Sequence, residues 1–347
     1  MTILMLAGDF GGTKSILSIY KSNIQPIKIH EREYISSEWP DCLSLIKNYL
    51  MNLPSSIRKP NLAIFAVAGP VFNNSAKMTN LNWTFEKQKL RDEIGIENID
   101  ILNDFTAQIY GISRFRQEQY ITLQEGNSCS PDNDWVAVVG AGTGLGVARG
   151  RISKKETFAY PSEGGHKEFS PRNNTEWEIY KWVKEELNLT RVSLERIVSG
   201  SGIEQIIKWR LSKRSFENHP INKLIRETEQ DLSKDLKLPE LAYKLASEGD
   251  LIMKEVFDIW LSAYAAAIGD IAIHEMCCKG LWISGGIATK HIKGIKSKEF
   301  RRSLRDKGRF KGFIDKIPIR VICDPKANLY SAACRGQILV ESDEKLV

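Results

Sequence analysis

Two short glycine-rich stretches and two pairs of polar residues carry the chemistry that this sequence could perform. The first stretch, "GDFGGTKS" (Gly8 to Ser15), stands one residue away from a P-loop. A P-loop needs Gly, four residues, then Gly-Lys-Ser/Thr. Here Lys14 and Ser15 fit, but Thr13 occupies the place of the second motif glycine. A P-loop also opens a helix, whereas "SILSIY" is β-rich, with Ile16, Ser18 and Tyr20 on one face and Leu17 and Ile19 on the other. The stretch therefore reads as strand, tight glycine turn, strand. Such a hairpin tip can offer backbone N–H groups to an anion, although most glycine turns are only turns. Asp9 beside it suits a divalent cation held through water, or else a turn residue bonding its own backbone.

The second stretch, "VVGAGTGLGVARG", has the same plan about 130 residues later. Gly140, Gly142, Gly144 and Gly146 fall at every second position, so no G-x-G-x-x-G register exists. β-like residues again follow where a dinucleotide fold would open a helix. Two such hairpins are what a duplicated fold needs to grip phosphates with Gly11, Gly12 and Thr13 on one side and Gly142, Thr143 and Gly144 on the other.

Glu163 and His166 stand in "EGGH". A Glu-x-x-His pair is a metal motif on a helix, but Gly164 and Gly165 disfavour a helix. A glycine loop that brings an acceptor and an imidazole together fits better. Asn103 and Asp104 end the apolar run "IDIL", where α/β folds place ligands. Asp104 reads equally as a helix N-cap and as a general base, and the two roles could be divided between Asn103 and Asp104.

The elements that must position these residues alternate between strand-like and helical runs, an α/β pattern. "LAIFAVAG" (Leu62 to Gly69), Ile99 to Asp104 and "WVAVVG" read as buried strands. "DLIMKEVFDIWLSAYAAAIGDIAIHEMCCKG" reads as a long core helix stopped at Gly280, since Asp258 and Asp270 interrupt its apolar surface. "LWIS" and the turn Gly285-Gly286 follow. Lys208 to Glu240 reads as a polar surface excursion, and Lys290 to Lys311 as a solvated, partly helical basic face.

The 347 residues are enough for about two domains. A net charge of +6 suits small anionic substrates and is too weak to argue for nucleic acid. The six cysteines form no C-x-x-C pair, so zinc spacing is absent and no disulfide framework is suggested. The N-terminal apolar run is too short for a signal peptide, and no stretch reads as a membrane span. The expectation is a reduced, cytoplasmic, soluble protein.

Taken in order, "GDFGGTK", "MTNLNW", "LNDFTA", "GAGTGLGVA", "EGGH", "LERIVSGSGI" and "ISGGIA" resemble the bacterial glucokinases of the actin-like ATPase superfamily. The resemblance implies a two-domain α/β fold of the ribonuclease H-like, actin-like type with the active site in the interdomain cleft. It implies a small domain of residues 1–114 plus 323–347, and a large domain of 115–322. The implied reaction is phosphoryl transfer from ATP to the 6-hydroxyl of glucose, with Mg²⁺ held by Asp9. Another hexose, or a non-enzymatic sugar-sensing role on the same fold, is the alternative.

By resemblance Asp104 is the base, and Asn103, Asp104, Glu163, His166 and Glu195 bind the sugar. Gly8, Asp9, Phe10, Gly11, Gly12, Thr13, Gly142, Thr143, Gly144, Gly285 and Gly286 face the nucleotide. No nucleic acid or membrane partner is expected, and the expected assembly is a homodimer. Phe10 stands where the family carries a small aliphatic residue, and Tyr330 and Ala332 where glycines are common.

Overall fold

The computed structural model describes residues 3–78, 80–126, 129–130, 132–213, 218–230 and 237–342. Thr79 of "MTNLNW", and residues 214–217 and 231–236 of the polar excursion, lie outside the described residues. The chain forms two compact units. The first comprises Met1–Ile121, Ala148–Pro161 and Ile322–Val347, and the second Thr122–Val147 and Ser162–Val321.

The first unit is built on β1 (Leu4–Phe10), β2 (Lys14–Lys21), β3 (Ile27–Ile35), β4 (Leu62–Val67) and β8 (Asn98–Asn103). Their order is β3-β2-β1-β4-β8. β1 pairs antiparallel with β2 and parallel with β4, and β4 runs parallel with β8. The near-continuous apolar sequence of β4 follows from this position, since a strand between parallel neighbours is covered on both faces. A small sheet of β5 (Val71–Phe72), β6 (Ser75–Lys77) and β7 (Thr84–Glu86) lies in the same unit.

One face of the main sheet carries α1 (Cys42–Met51) and α2 (Lys87–Ile94) over a core that includes Phe10, Phe65, Trp83 and Phe85. On the other face, residues of α3 (Asp104–Ile112) join Met5, Ala7, Ile64 and Ala66 in a second core. Ala159 also packs against that second core. Its segment, 148–161, thus groups with the first unit, not with the residues 115–322 expected of the large domain; 115–121 groups there too.

The second sheet has the order β12-β11-β10-β13-β14-β9. Its strands are β9 (Tyr120–Gln124), β10 (Trp135–Ala141), β11 (Leu145–Ile152), β12 (Thr157–Ser162), β13 (Gly280–Ser284) and β14 (Ile319–Ile322). β10, β13 and β14 run parallel. Apart from edge strand β9, the order repeats that of the first sheet, so the duplication suggested by the two glycine stretches is present in the topology.

The helices of the second unit are α4 (Asn174–Glu186), α5 (Gly200–Leu211), α6 (Pro220–Gln230), α7 (Leu238–Ser247) and α8 (Leu251–Glu275), then α9 to α12 (Gly286–Lys290, Ile292–Ile295, Lys298–Arg305 and Lys311–Ile314). The chain ends on α13 (Ala327–Ser342), whose Leu329, Ala332 and Ala333 belong to the second core of the first unit. α8 is the one helix among the described residues long and apolar enough to cross a membrane, and 67% of its apolar window is buried inside the protein. It stops earlier than Gly280. Met276 takes the left-handed conformation (φ 46°) and ends it.

One expectation about the cysteines is corrected. Cys129 and Cys278 form a disulfide, with Cα atoms 5.2 Å apart. Cys129 leads into β10 and Cys278 into β13, and these strands start side by side. The pairing depends on strand order, which cysteine spacing does not reveal.

Candidate active site

The hairpin at the end of β1 is closed by two internal contacts. Gly11 N–H donates to Lys14 O at 2.9 Å, and Ser36 Oγ donates to Gly11 O at 2.8 Å. Ser36 N–H also donates to Thr13 O, so Ser36 braces the turn from β3's far end. The Gly11 N–H is therefore not among the free donors. Those of Gly12 and Thr13 have no backbone acceptor among the described residues. Asn80, the polar residue of "MTNLNW" next to the undescribed Thr79, lies over Gly12.

Lys14 points to Glu33, 2.5 Å away, and Ser15 is fully buried against Ser36. A P-loop lysine and serine would face phosphate and metal; these two do not. Two residues expected at the nucleotide are likewise occupied elsewhere. Phe10 has its ring buried against Phe65, Trp83 and Phe85. Gly8 lies within β1, paired to Leu17 on one side and Phe65 on the other. The departure at Phe10 is thus a core substitution that leaves the turn intact. Tyr330 similarly stacks on Phe115 and donates to Arg114 O.

Asp9 and Asp104 are set deep among protein atoms, though each keeps a partial opening to solvent. Desolvation, and then the charge of Asp104, push the Asp9 carboxyl up to about 7, while the side chain of Asn328 opposes them. Desolvation pushes Asp104 up to about 6 against the hydrogen bonds it accepts. Neither group keeps the ordinary aspartate value near 4. A buried carboxylate whose neighbour is another carboxylate lacks a compensating positive charge, which is the environment a divalent cation relieves. No group of three His, Cys, Asp or Glu able to cage a metal exists among the described residues. Asp9 with water and phosphate oxygens matches the sparse protein ligation that Mg²⁺ favours.

Position decides which of the two adjacent residues is the cap. Asn103 is the N-cap of α3; its Oδ1 accepts from Phe105 N and Thr106 N at 3.0 and 3.1 Å. Its Nδ2 donates to Gly69 O and to Asp104 Oδ1. All of its hydrogen-bonding capacity is engaged within the chain, so the expected sugar contact by Asn103 would require breaking one of these bonds. Asp104 is the first residue of α3. Its Oδ1 accepts from Phe105 N and Asn103 Nδ2, and among the described residues Oδ2 accepts from no other residue.

In the second unit, the turn from β10 to β11 is closed by Gly142 N–H donating to Gly144 O at 2.8 Å. Gly142 thus keeps no N–H for phosphate, whereas those of Thr143 and Gly144 have no backbone acceptor among the described residues. Glu195, on a 3-10 turn Leu194–Arg196, braces this hairpin by accepting from Leu145 N at 3.0 Å. A Cβ on Gly144 would stand 2.3 Å from the Glu195 carboxylate, so a larger residue there would push that carboxylate aside. Periodicity alone would have made Glu195 one more surface charge.

"EGGH" folds as one turn of 3-10 helix, Gly164–His166, with Glu163 as its N-cap residue. The carboxylate and the imidazole Nε2 lie 3.8 Å apart, both largely exposed. Gly165 packs against Leu145 O, so this turn, Glu195 and the glycine hairpin form one cluster. The start of α5 completes it. Gly200 N–H donates to Gly142 O at 2.8 Å, and Ser199 caps the helix through Gly202 N. Gly285 separates β13 from α9 with φ 93°, and a Cβ there would stand 2.5 Å from Ala141 O. Gly286 opens α9 and faces free space.

The residues that sequence reasoning missed are Ser36, Asn80, Asn328 and the cap Ser199. Asn80 and Ser199 lie inside quoted motifs, "MTNLNW" and "LERIVSGSGI"; Ser36 and Asn328 carried no local signal.

The family model described as Glucokinase matches residues 6–338. The glucokinase of Trichormus variabilis is 37% identical over 341 residues, covering 95% of this chain and 98% of the relative. Among solved structures, a glucokinase from an Antarctic psychrotroph superposes with a TM-score of 0.79 at 22% identity, over 96% of this chain and 98% of that one. A ROK family glucokinase from Streptomyces griseus in complex with glucose and AMPPNP gives 0.62 at 19% identity, over 95% and 98%. The two structures speak to the fold, and the sequence matches speak to descent. The hairpins, the duplicated sheets and the near full-length matches agree: the chain belongs to the glucokinase family.

Proposed function

We propose that this chain transfers the γ-phosphoryl group of ATP to the 6-hydroxyl of glucose, giving glucose 6-phosphate and ADP. The observation that carries the reading is Asp104, the first residue of α3. Its Oδ1 is fixed by Phe105 N and Asn103, and among the described residues its Oδ2 accepts from no other residue. As the sugar oxygen attacks phosphorus and the bond to ADP breaks, Asp104 Oδ2 takes the hydroxyl proton. A pKa near 6 lets the group be ionised at neutral pH and still be a better proton acceptor than an ordinary aspartate.

Phosphoryl transfer asks mainly for positioning and charge stabilisation. Gly12 and Thr13 N–H groups, and those of Thr143 and Gly144, are donors suited to phosphate oxygens. Asp9 would hold Mg²⁺, through water, and the ion would supply charge neutralisation on the phosphates. Glu163 and His166 are exposed and paired, suited to sugar hydroxyls, and Glu195 supports the hairpin beside them. Gly285-Gly286 leaves room for the adenosine. Dependence on ATP accords with a cytoplasmic location.

The test is ADP release coupled to a dehydrogenase, with glucose, mannose, fructose and N-acetylated hexoses, with and without EDTA. Glucose should give the highest kcat/KM, and EDTA should abolish turnover. A much higher kcat/KM for another sugar would redirect the assignment, and absence of ADP release with every sugar would overturn it.

A further inference from the structure

Arg191 reaches the "EGGH" turn from the loop that follows α4. α4 ends at Glu186, and Asn188 takes the left-handed conformation (φ 48°) that asparagine tolerates. Asn188 N donates to Glu185 O at 3.1 Å and Leu189 N to Lys184 O at 2.8 Å, the paired bonds that close a helix and reverse the chain. The returning segment runs antiparallel to the residues after His166. Phe169 N donates to Val192 O at 2.9 Å, and Leu194 N to Lys167 O at 2.7 Å. Arg191 is thereby set beside His166, and its Nη1 donates to His166 O at 2.9 Å. The same nitrogen lies 3.7 Å from one oxygen of Glu168, whose other oxygen accepts from the Tyr180 hydroxyl at 3.0 Å.

Lys167 leaves the 3-10 turn in extended backbone, and among the described residues no backbone N–H reaches His166 O. The guanidinium supplies that donor. Folding does not call for it, since the two backbone bonds already join the segments. An ion pair as exposed as that of Arg191 with Glu168 also contributes little to stability. What the bond fixes is the stretch of backbone that carries the His166 imidazole.

We infer that Arg191 is a positioning residue of the sugar site: it holds the His166 carbonyl so that the imidazole keeps its direction, with Glu168 and Tyr180 aiming the guanidinium. The inference rests on the reading of His166 as a sugar-binding residue. A small misplacement of a group that orients substrate costs more than the single bond that prevents it.

The test compares Arg191→Met, His166→Ala and the double variant with the unmodified protein. Arg191→Lys, which keeps a donor and should lose less, stands in if the methionine variant fails to fold. Calorimetry measures glucose binding without nucleotide, steady-state kinetics give the KM for ATP, and melting reports on folding. Arg191→Met should weaken glucose binding by about tenfold and leave the KM for ATP within about twofold. His166→Ala should weaken glucose binding at least as much. The double variant should match His166→Ala, because Arg191 acts only through His166. Unchanged glucose affinity in Arg191→Met would overturn the inference. So would equal losses for glucose and ATP, the mark of a merely structural role, or a double variant whose losses add. If His166→Ala alone leaves glucose affinity unchanged, the reading of His166 has failed and the inference falls with it, which is a different result.

Discussion

The negative charge of Asp104 opposes the ionisation of Asp9, and both carboxyls stand above their ordinary value of 3.8. The folded chain thus holds protons that the unfolded chain releases. Their ionisation costs folding free energy, so this contribution to stability is most favourable at low pH and is lost as pH rises from about 4 to about 7.

The first prediction follows from that sign. In EDTA and without ligands, Asp104→Asn should melt close to the unmodified protein at pH 4 and progressively above it toward pH 8. A two-unit displacement corresponds to roughly 3 kcal/mol at most, or a few degrees in Tm. A difference in Tm that does not change with pH would contradict the account.

Lys14 distinguishes this hairpin from a P-loop. It is exposed and paired with Glu33, and exposed pairs contribute little. Lys14→Ala should leave kcat and the KM for ATP within about twofold, whereas a phosphate-contacting lysine would cost orders of magnitude in turnover. Steady-state kinetics in ATP decide between them.

Glu163 and Glu195 should separate by chemistry. Glu163→Gln should raise the KM for glucose and leave nucleotide binding nearly intact, because a hydroxyl-reading site discriminates by hydrogen bonds. Glu195→Gln keeps an oxygen for Leu145 N and should preserve the hairpin. Glu195→Leu leaves that N–H unpaired, which should cost about 1–3 kcal/mol of stability and weaken both substrates. Collapse of ATP affinity in Glu163→Gln would reverse its assignment.

Gly285→Ala places a methyl group against Ala141 O at a left-handed φ of 93°. The expected result is a loss of about 1–3 kcal/mol and a raised KM for ATP, with the KM for glucose less affected. Unchanged ATP kinetics would remove Gly285-Gly286 from the nucleotide site.

Much of this was legible because it is local. The missing P-loop glycine at Thr13, and β-rich residues after each glycine turn, sufficed to place both hairpins. The apolar runs placed β4, β8, β10 and β13. What escaped depends on chain segments meeting. Asn328 meets Gln108 only because α13 packs on α3 in the second core, and Cys129 meets Cys278 only because β10 adjoins β13. The roles of Asn103 and Asp104 differ by one helical position, and residue type does not resolve which of two adjacent capping residues is the cap. Glycine motifs also mark a turn without saying which N–H groups it consumes; Gly11 and Gly142 use theirs to close it.

The most direct measurement is the turnover of Asp104→Asn with saturating glucose and ATP at pH 8, alongside its Tm. The amide keeps the size and capping ability of the side chain and removes the proton acceptor. The account predicts that kcat falls by about 10²-fold or more while the Tm does not decrease. Turnover near the unmodified rate by a well-folded Asp104→Asn protein would show that Asp104 is not the base.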